Sequence, residues 1–167
     1  MRTTLAVLVL ALATVSSAAA ASTLKVTFAN SRWDGRSVPA GMQCARQGGV
    51  NPASPALRVS GIPAGTTRLI VEFDDESYQP LSYDGGHGKF GVEVDGKSEV
   101  VIPAIPEGIT TGFPPGVSMV AGNRSGMGPG YLAPCSGGRG NRYSVTIRAV
   151  SATNKKLAEG YIILGAY

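Results

Sequence analysis

The side chains able to do chemistry in this chain are few, and they cluster. Asp74, Asp75 and Glu76 end an apolar run in "RLIVEFDDESY"; His87 and Lys89 follow in "GGHGKF"; "APCSGGRGNRY" carries Pro134, Cys135, Arg139, Asn141, Arg142 and Tyr143. Three adjacent acids invite a calcium reading, but at the end of a strand they more often form a solvated turn. His87 is the only histidine. A serine triad needs a histidine base beside a nucleophile and an orienting acid, and no G-x-S-x-G elbow is present. A glycosidase pair would have to combine the 74–76 acids with a distant one such as Asp84 or Glu107, and no spacing suggests it. The residues read as a binding protein, not an enzyme.

Cys44 and Cys135 are the only cysteines. Two thiols and one histidine cannot fill a four-ligand zinc site without carboxylate help, so a disulfide is the expected reading and no metal or other cofactor is expected. Such a bridge would close a loop of roughly 90 residues and stabilise the fold by about 3–5 kcal/mol in the chain-entropy model. The N-terminus fits an oxidising destination. Arg2, an apolar run from Leu5 to Val15 and the small residues "SSAAAAS" have the layout of a secretory signal peptide over residues 1–21, cleaved near Ala20 or Ala21. Residues 22–167 are then a single β domain, exported to the periplasm or beyond, with no transmembrane segment expected in the mature chain. Losing Arg2 takes the formal charge from +4 to +3. The remaining cations (Lys25, Arg32, Arg46, Arg68, Arg124) are scattered, without the basic stripe of a nucleic-acid binder.

The elements that must position these groups read as β almost throughout. "TLKVTF" alternates Leu24, Val26 and Phe28 against Lys25 and Thr27, and "RLIVEFDD" is a strand running into the acids. "VEVDGKSEVVI" predicts a hairpin, with Asp95-Gly96 as a type I′ turn. "YSVTIRAV" buries Tyr143, Val145, Ile147 and Ala149 and exposes Ser144, Thr146 and Arg148. "GYIILG" closes the chain as a more fully buried strand. With 23 glycines and 11 prolines for turns and no helical period, one all-β sandwich is the expected architecture. Its long irregular stretches suit a shaped rim more than a flexible tail.

Several segments together resemble the phosphatidylethanolamine-binding protein family, also called Raf kinase inhibitor proteins. "NPASPALRVSGIPAGTTRLIVEFDD" is similar to the family's N-x-S-P-x-L segment, G-x-P turn and strand ending in D-P-D-A-P. "GYLAPCSGGRGNRYSVTIRAV" is similar to its G-Y-G-G-P-C-P-P, H-R-Y and alternating strand, and "GYIILGAY" to the closing strand of bacterial members. Both cysteines fall where exported bacterial relatives have them. The resemblance implies a Greek-key sandwich with little helix and a small anion pocket at one end, for phosphate, phosphorylated head groups or similar oxyanions.

Residue by residue, the resemblance puts Asp74 and Glu76 in the place of the two motif aspartates, with Asp75 between them. Lys89 and Phe90 take the place of the histidine and tryptophan of G-x-x-H-W. Pro134 is retained, Asn141 replaces the histidine of H-R-Y, and Arg142 and Tyr143 remain. On this alignment both pocket histidines are gone. Asp74, Lys89, Pro134, Asn141 and Tyr143 are the implied ligand-binding set, with Glu76, His87, Tyr131 and Arg139 as rim candidates and Arg142 as a structural arginine pairing with an acid. His87, amid glycines, is otherwise an exposed loop histidine, and Trp33 is core.

Two states of such a pocket stand open. Lys89 faces an open cavity and attracts an oxyanion, or it pairs with Asp74 and fills the hole. Two functions follow: a binding module for a small anionic ligand, or a protein-interaction or inhibitor module, against a protease or envelope partner, whose pocket has decayed.

Overall fold

The computed structural model describes residues 22–167, and the expected signal peptide, residues 1–21, lies outside the described residues. Two sheets face each other. The larger contains β1 (Ser22–Thr23), β4 (Arg68–Asp75), β5 (Lys89–Glu93), β7 (Val117–Ala121), β8 (Arg142–Val150) and β9 (Lys156–Ala166), in the order β1-β9-β8-β4-β5-β7. The smaller contains β2 (Lys25–Phe28), β3 (Leu57–Ser60) and β6 (Glu99–Ile102), in the order β2-β3-β6. Helix among the described residues is limited to two 3-10 turns, Ala45–Gln47 and Gln79–Leu81. No described helix is long and apolar enough to cross a membrane.

Strand β4 is the spine. It pairs antiparallel with β8, from Arg68↔Val150 to Asp75↔Tyr143, and with β5, from Arg68↔Glu93 to Glu72↔Lys89. Successive side chains on a strand point to opposite faces. Leu69, Val71 and Phe73 therefore turn inward with Val145, Ile147 and Ala149 of β8 and Phe90 and Val92 of β5. They share one core with Leu57, Val59 and Ile102 of the smaller sheet. Full burial of each such aliphatic or aromatic side chain stabilises by about 1.5–3 kcal/mol. The alternate residues of β4 face outward, where Glu72 is only 1% exposed between Lys89 (3.1 Å) and Arg148 (2.7 Å).

Two expectations about the strands need correction. Asp95 (φ 51°) and Gly96 (φ 74°) have the positive φ of a type I′ turn, and Lys97 N–H donates to the Val94 carbonyl at 3.1 Å. The strands it joins do not pair, however: β5 stays in the larger sheet and β6 crosses to β3. The turn is right and the hairpin is wrong, because burying both apolar faces needs the chain to change layers here. Likewise "GYIILG" is not a fully buried strand. Its outer face is open and leaves Tyr161 48% exposed. Between β8 and β9, residues 151–155 form a turn with no helix.

Candidate functional site

At the end of the larger sheet where β4 finishes and β5 and β8 begin, the chain leaves a cleft of about 330 Å³. The buried polar groups at its inner end are Asp75 and His87, 4% and 3% exposed. Asn141, Ser136, Ser125, Arg124 and Arg139 add to its polar lining, and Tyr78, Leu81 and Met127 supply apolar wall.

Asp75 reaches the cleft by simple alternation. It shares the face of Leu69, Val71 and Phe73, so the last residue of β4 points inward, opposite Tyr143 in register. Its Oδ1 accepts the Ser77 N–H at 3.0 Å and its Oδ2 accepts the Asn141 side-chain amide at 2.7 Å. His87 arrives differently. Its N–H donates to the Phe73 carbonyl at 2.8 Å, while Phe73 N–H donates to the Gly88 carbonyl at 3.1 Å, so two residues stand opposite one. An extra residue of this kind breaks the alternation and re-aims a side chain. Gly88 allows it, with φ 121° and a hypothetical Cβ only 3.2 Å from the Gly130 carbonyl oxygen and the Tyr131 Cα.

The His87 ring is fixed on one side only. Nδ1 lies 2.8 Å from the Leu132 carbonyl, and Leu132 N–H donates to the His87 carbonyl at 2.9 Å. A carbonyl oxygen only accepts, so Nδ1 carries the proton and Nε2 of the neutral ring presents a lone pair. That Nε2 is buried and has no hydrogen-bond partner among the described residues. Burial lowers the His87 pKa below its ordinary value, against the opposing pull of the Leu132 bond and the Asp75 charge. Tyr143 packs edge-on against the ring at 5.3 Å and its hydroxyl accepts the Cys135 N–H at 3.1 Å. Burial pushes the Tyr143 phenol up to about 12, so it stays protonated.

The walls are tied down. Cys44 and Cys135 form a disulfide with Cα atoms 5.2 Å apart, and Cys44 N–H donates to the Pro134 carbonyl at 2.9 Å. Glu107 clamps the same wall by accepting the Ala45 N–H at 2.8 Å and the Ala133 N–H at 3.2 Å. On the opposite side Arg124 donates to the carbonyls of Tyr83 (2.6 Å), Asp84 (3.1 Å) and Pro80 (3.3 Å), and lies 4.7 Å over the Tyr83 ring. Carbonyls do not cancel its charge. Neither Arg124 nor Arg139 joins any ion pair among the described residues.

The implied ligand set divides. Asn141 lines the cleft and Tyr143 stands behind His87, while Pro134 is buried in the wall. Arg139 is exposed at the mouth. Asp74 faces the other way; its Oδ1 accepts the Gly86 N–H at 2.8 Å and burial raises its pKa. Lys89 is neither an open pocket cation nor a partner of Asp74. It pairs with Glu72 at 3.1 Å and with Asp84 on the outward face. Burial would lower its pKa, but those two carboxylates outweigh burial and raise it.

The rim candidates need correction too. Glu76 lies outside the cleft, paired with Arg142 at 2.9 Å and accepting the Tyr161 hydroxyl. Arg142 thus pairs with an acid on the exposed surface. Tyr131 is core, 1% exposed and edge-on to Phe73 at 4.8 Å, and Trp33 is core as well. His87 is no exposed loop residue, and the 74–75 acids are buried, not a solvated turn. The chain's one histidine therefore stands inside the cleft. His87, and not Lys89, is the side chain that this part of the chain sends into the cleft. Asp75 and Arg124 line the cleft but stand outside the implied ligand and rim sets. Alternation would have found Asp75, since it continues the inward series of β4; nothing local marks Arg124.

No family model matches the chain, and no curated protein matches it. Solved structures do. YbcL of Escherichia coli, described as a member of the mammalian PEBP family, superposes with a TM-score of 0.59 at 21% identity, covering 87% of this chain and 98% of its own. CT736 of Chlamydia trachomatis, a phosphatidylethanolamine-binding protein homologue, gives a TM-score of 0.56 at 17% identity, over 87% and 97% of the two chains. At such identities the likeness is one of architecture: the chain is a divergent protein with the fold of the phosphatidylethanolamine-binding proteins.

Proposed function

We propose that this protein is an exported binding module for a small oxyanion, phosphate or a phosphate-bearing head group, and that it catalyses no reaction. The observation that carries this reading is the buried, unpartnered His87 Nε2 inside a cleft whose mouth holds two cations without carboxylate partners. Arg124 and Arg139 draw an anion in, and the amide of Asn141, with one N–H on Asp75, has a second N–H to offer. Charge-assisted hydrogen bonds contribute about 1.5–3 kcal/mol each. The association of both solved neighbours with phosphatidylethanolamine-binding proteins supports a phosphate-bearing ligand.

A binding role without chemistry is supported by the cleft's hydroxyls. Ser136 donates to the Tyr167 carbonyl and Ser125 to the Asn123 side chain, so neither faces His87 as a nucleophile awaiting a base. Export is supported by the disulfide, which belongs to oxidising compartments, and by the signal-like N-terminal sequence. The rival reading of a decayed pocket draws on the loss of both motif histidines, and a buried histidine inside the cleft speaks against it. Titration calorimetry with inorganic phosphate tests the proposal. Saturable binding, weakened at least tenfold by R124A/R139A, is expected. No heat from the wild-type protein up to millimolar phosphate rejects it.

A further inference from the structure

The inner end of the cleft presents acceptors. His87 Nε2 offers a lone pair, because Nδ1–H is committed to the Leu132 carbonyl. Beside it the Asp75 carboxylate already accepts from Ser77 and Asn141 through its two oxygens. Donors and positive charge lie at the exposed mouth, on Arg124 and Arg139. A fully deprotonated oxyanion pushed against that inner end sets lone pair against lone pair.

We infer that the cleft selects an oxyanion bringing its own acidic hydrogen, a phosphomonoester or hydrogen phosphate, over a phosphodiester. This rests on the oxyanion-binding reading. The ligand O–H donates to Nε2, and its anionic oxygens turn to Arg124 and Arg139. Moving that hydrogen onto Nε2 gives imidazolium and a phosphate dianion with the same proton count, so the two descriptions are one bound state. A phosphodiester has no O–H. It binds only if His87 first takes a proton from solvent, which burial of the ring opposes.

Five ionisable groups line or face this position. Asp75 comes from β4, Tyr78 from the turn after it, Tyr143 from β8, Arg124 from the loop after β7, and Arg139 from the loop before β8. Tyr143 holds its proton, and the shared His87–ligand proton, next to Asp75, sets the pH dependence. A phosphomonoester has its second pKa near 6, so above about pH 6 the bound state contains one proton more than the separated partners. Affinity then falls about tenfold per pH unit above that point and levels off below it.

Calorimetry in two buffers of different ionisation enthalpy, at pH 6.0 and 7.5, tests this with three probes: O-phosphoethanolamine, glycerophosphoethanolamine and inorganic phosphate. The expected result is at least tenfold tighter binding of the monoester than of the diester at pH 6.0, with uptake of about one proton at pH 7.5. In H87Q, whose side-chain amide can turn an N–H toward a dianion, uptake should fall well below one proton and the preference shrink below about threefold. Should H87Q fail to fold by near-ultraviolet circular dichroism, the wild-type proton count decides alone. Equal monoester and diester affinities, or binding without proton uptake at pH 7.5, overturn the selectivity and leave oxyanion binding standing. If none of the three probes binds, both fall. Vesicles containing phosphatidic acid or phosphatidylethanolamine extend the same comparison to lipids: retention on the first alone identifies a lipid monoester as a source, and retention on the second as strongly as on the first overturns the inference.

Discussion

Two buried carboxylates sit three residues apart on β4 and live in opposite electrostatic worlds. Glu72, on the outward face, is enclosed by Lys89 and Arg148, whose charges are shared onward with Asp84 and Glu159. Asp75, on the inward face, meets an amide, a backbone N–H and a histidine with one nitrogen unanswered, while the cleft's cations, Arg124 and Arg139, wait at the mouth. The outward network is saturated, and a third party has nothing to add to it. The cleft is left incomplete by the chain itself. Buried charge that is fully paired holds a sheet together; buried polarity that is not fully met marks where something else is meant to arrive.

The largest expected effect comes from cutting the wall of the cleft. Reduction, or C44S/C135S, should cost about 3–5 kcal/mol of stability by denaturant titration and abolish phosphate binding, since Cys135 lines the cleft. Unchanged phosphate affinity in the reduced protein would show that the wall needs no clamp. Next is the saturated side. E72Q strands Lys89 and Arg148 in a partly buried site and should cost about 2–3 kcal/mol, less than an isolated buried pair because Asp84 and Glu159 remain. Phosphate affinity in E72Q and in K89A should stay within about twofold of wild type. A tenfold loss in K89A would erase the contrast between the two faces.

The third effect is a pH dependence with a definite sign. His87 has its folded pKa below its unfolded value near 6.5, so its contribution to stability is complete above pH 6.5 and is lost as pH falls toward the folded pKa. Without ligand, wild type should therefore lose up to about 1.4 kcal/mol per pH unit in that window relative to H87Q. Asp74, with a raised pKa, works in the opposite direction and at lower pH, but it is common to both proteins and cancels. Parallel stability profiles for the two proteins would place His87 in contact with water. Smallest is R139A: about three- to tenfold weaker phosphate binding, steeper loss with salt removed, and a stability change within about 0.5 kcal/mol, as for other exposed positions.

What the sequence made legible follows one physical divide. Where the backbone is regular, alternation names the face of each residue, and β4 and β8 could be read from "RLIVEFDD" and "YSVTIRAV". The same rule places Asp75 inward and Lys89, neighbour to inward-facing Phe90, outward. The resemblance motif overrode it and picked Asp74 and Lys89. His87 obeys no alternation, because the chain carries an extra residue opposite Phe73 and a positive φ at Gly88. The Cys44–Cys135 bridge was legible from two cysteines and a signal-like N-terminal sequence. The layer change after Asp95-Gly96 could not be read locally, since the turn has hairpin dihedrals and the choice between pairing and crossing is made by the core.

The assembly of the cleft also fixes when in the life of the chain a ligand can matter. Its walls come from the end of β4, the loop after β7 and the segment leading into β8, so none of it exists until the non-local β4–β8 ladder has closed. The β8–β9 hairpin is the local piece, and folding should wait on the long-range search, in the slow range of β-rich topologies. A ligand that recognises only the finished cleft cannot hurry that search. Added phosphate should leave the refolding limb of the chevron where it is and slow the unfolding limb alone, turning occupancy into lifetime of the native state.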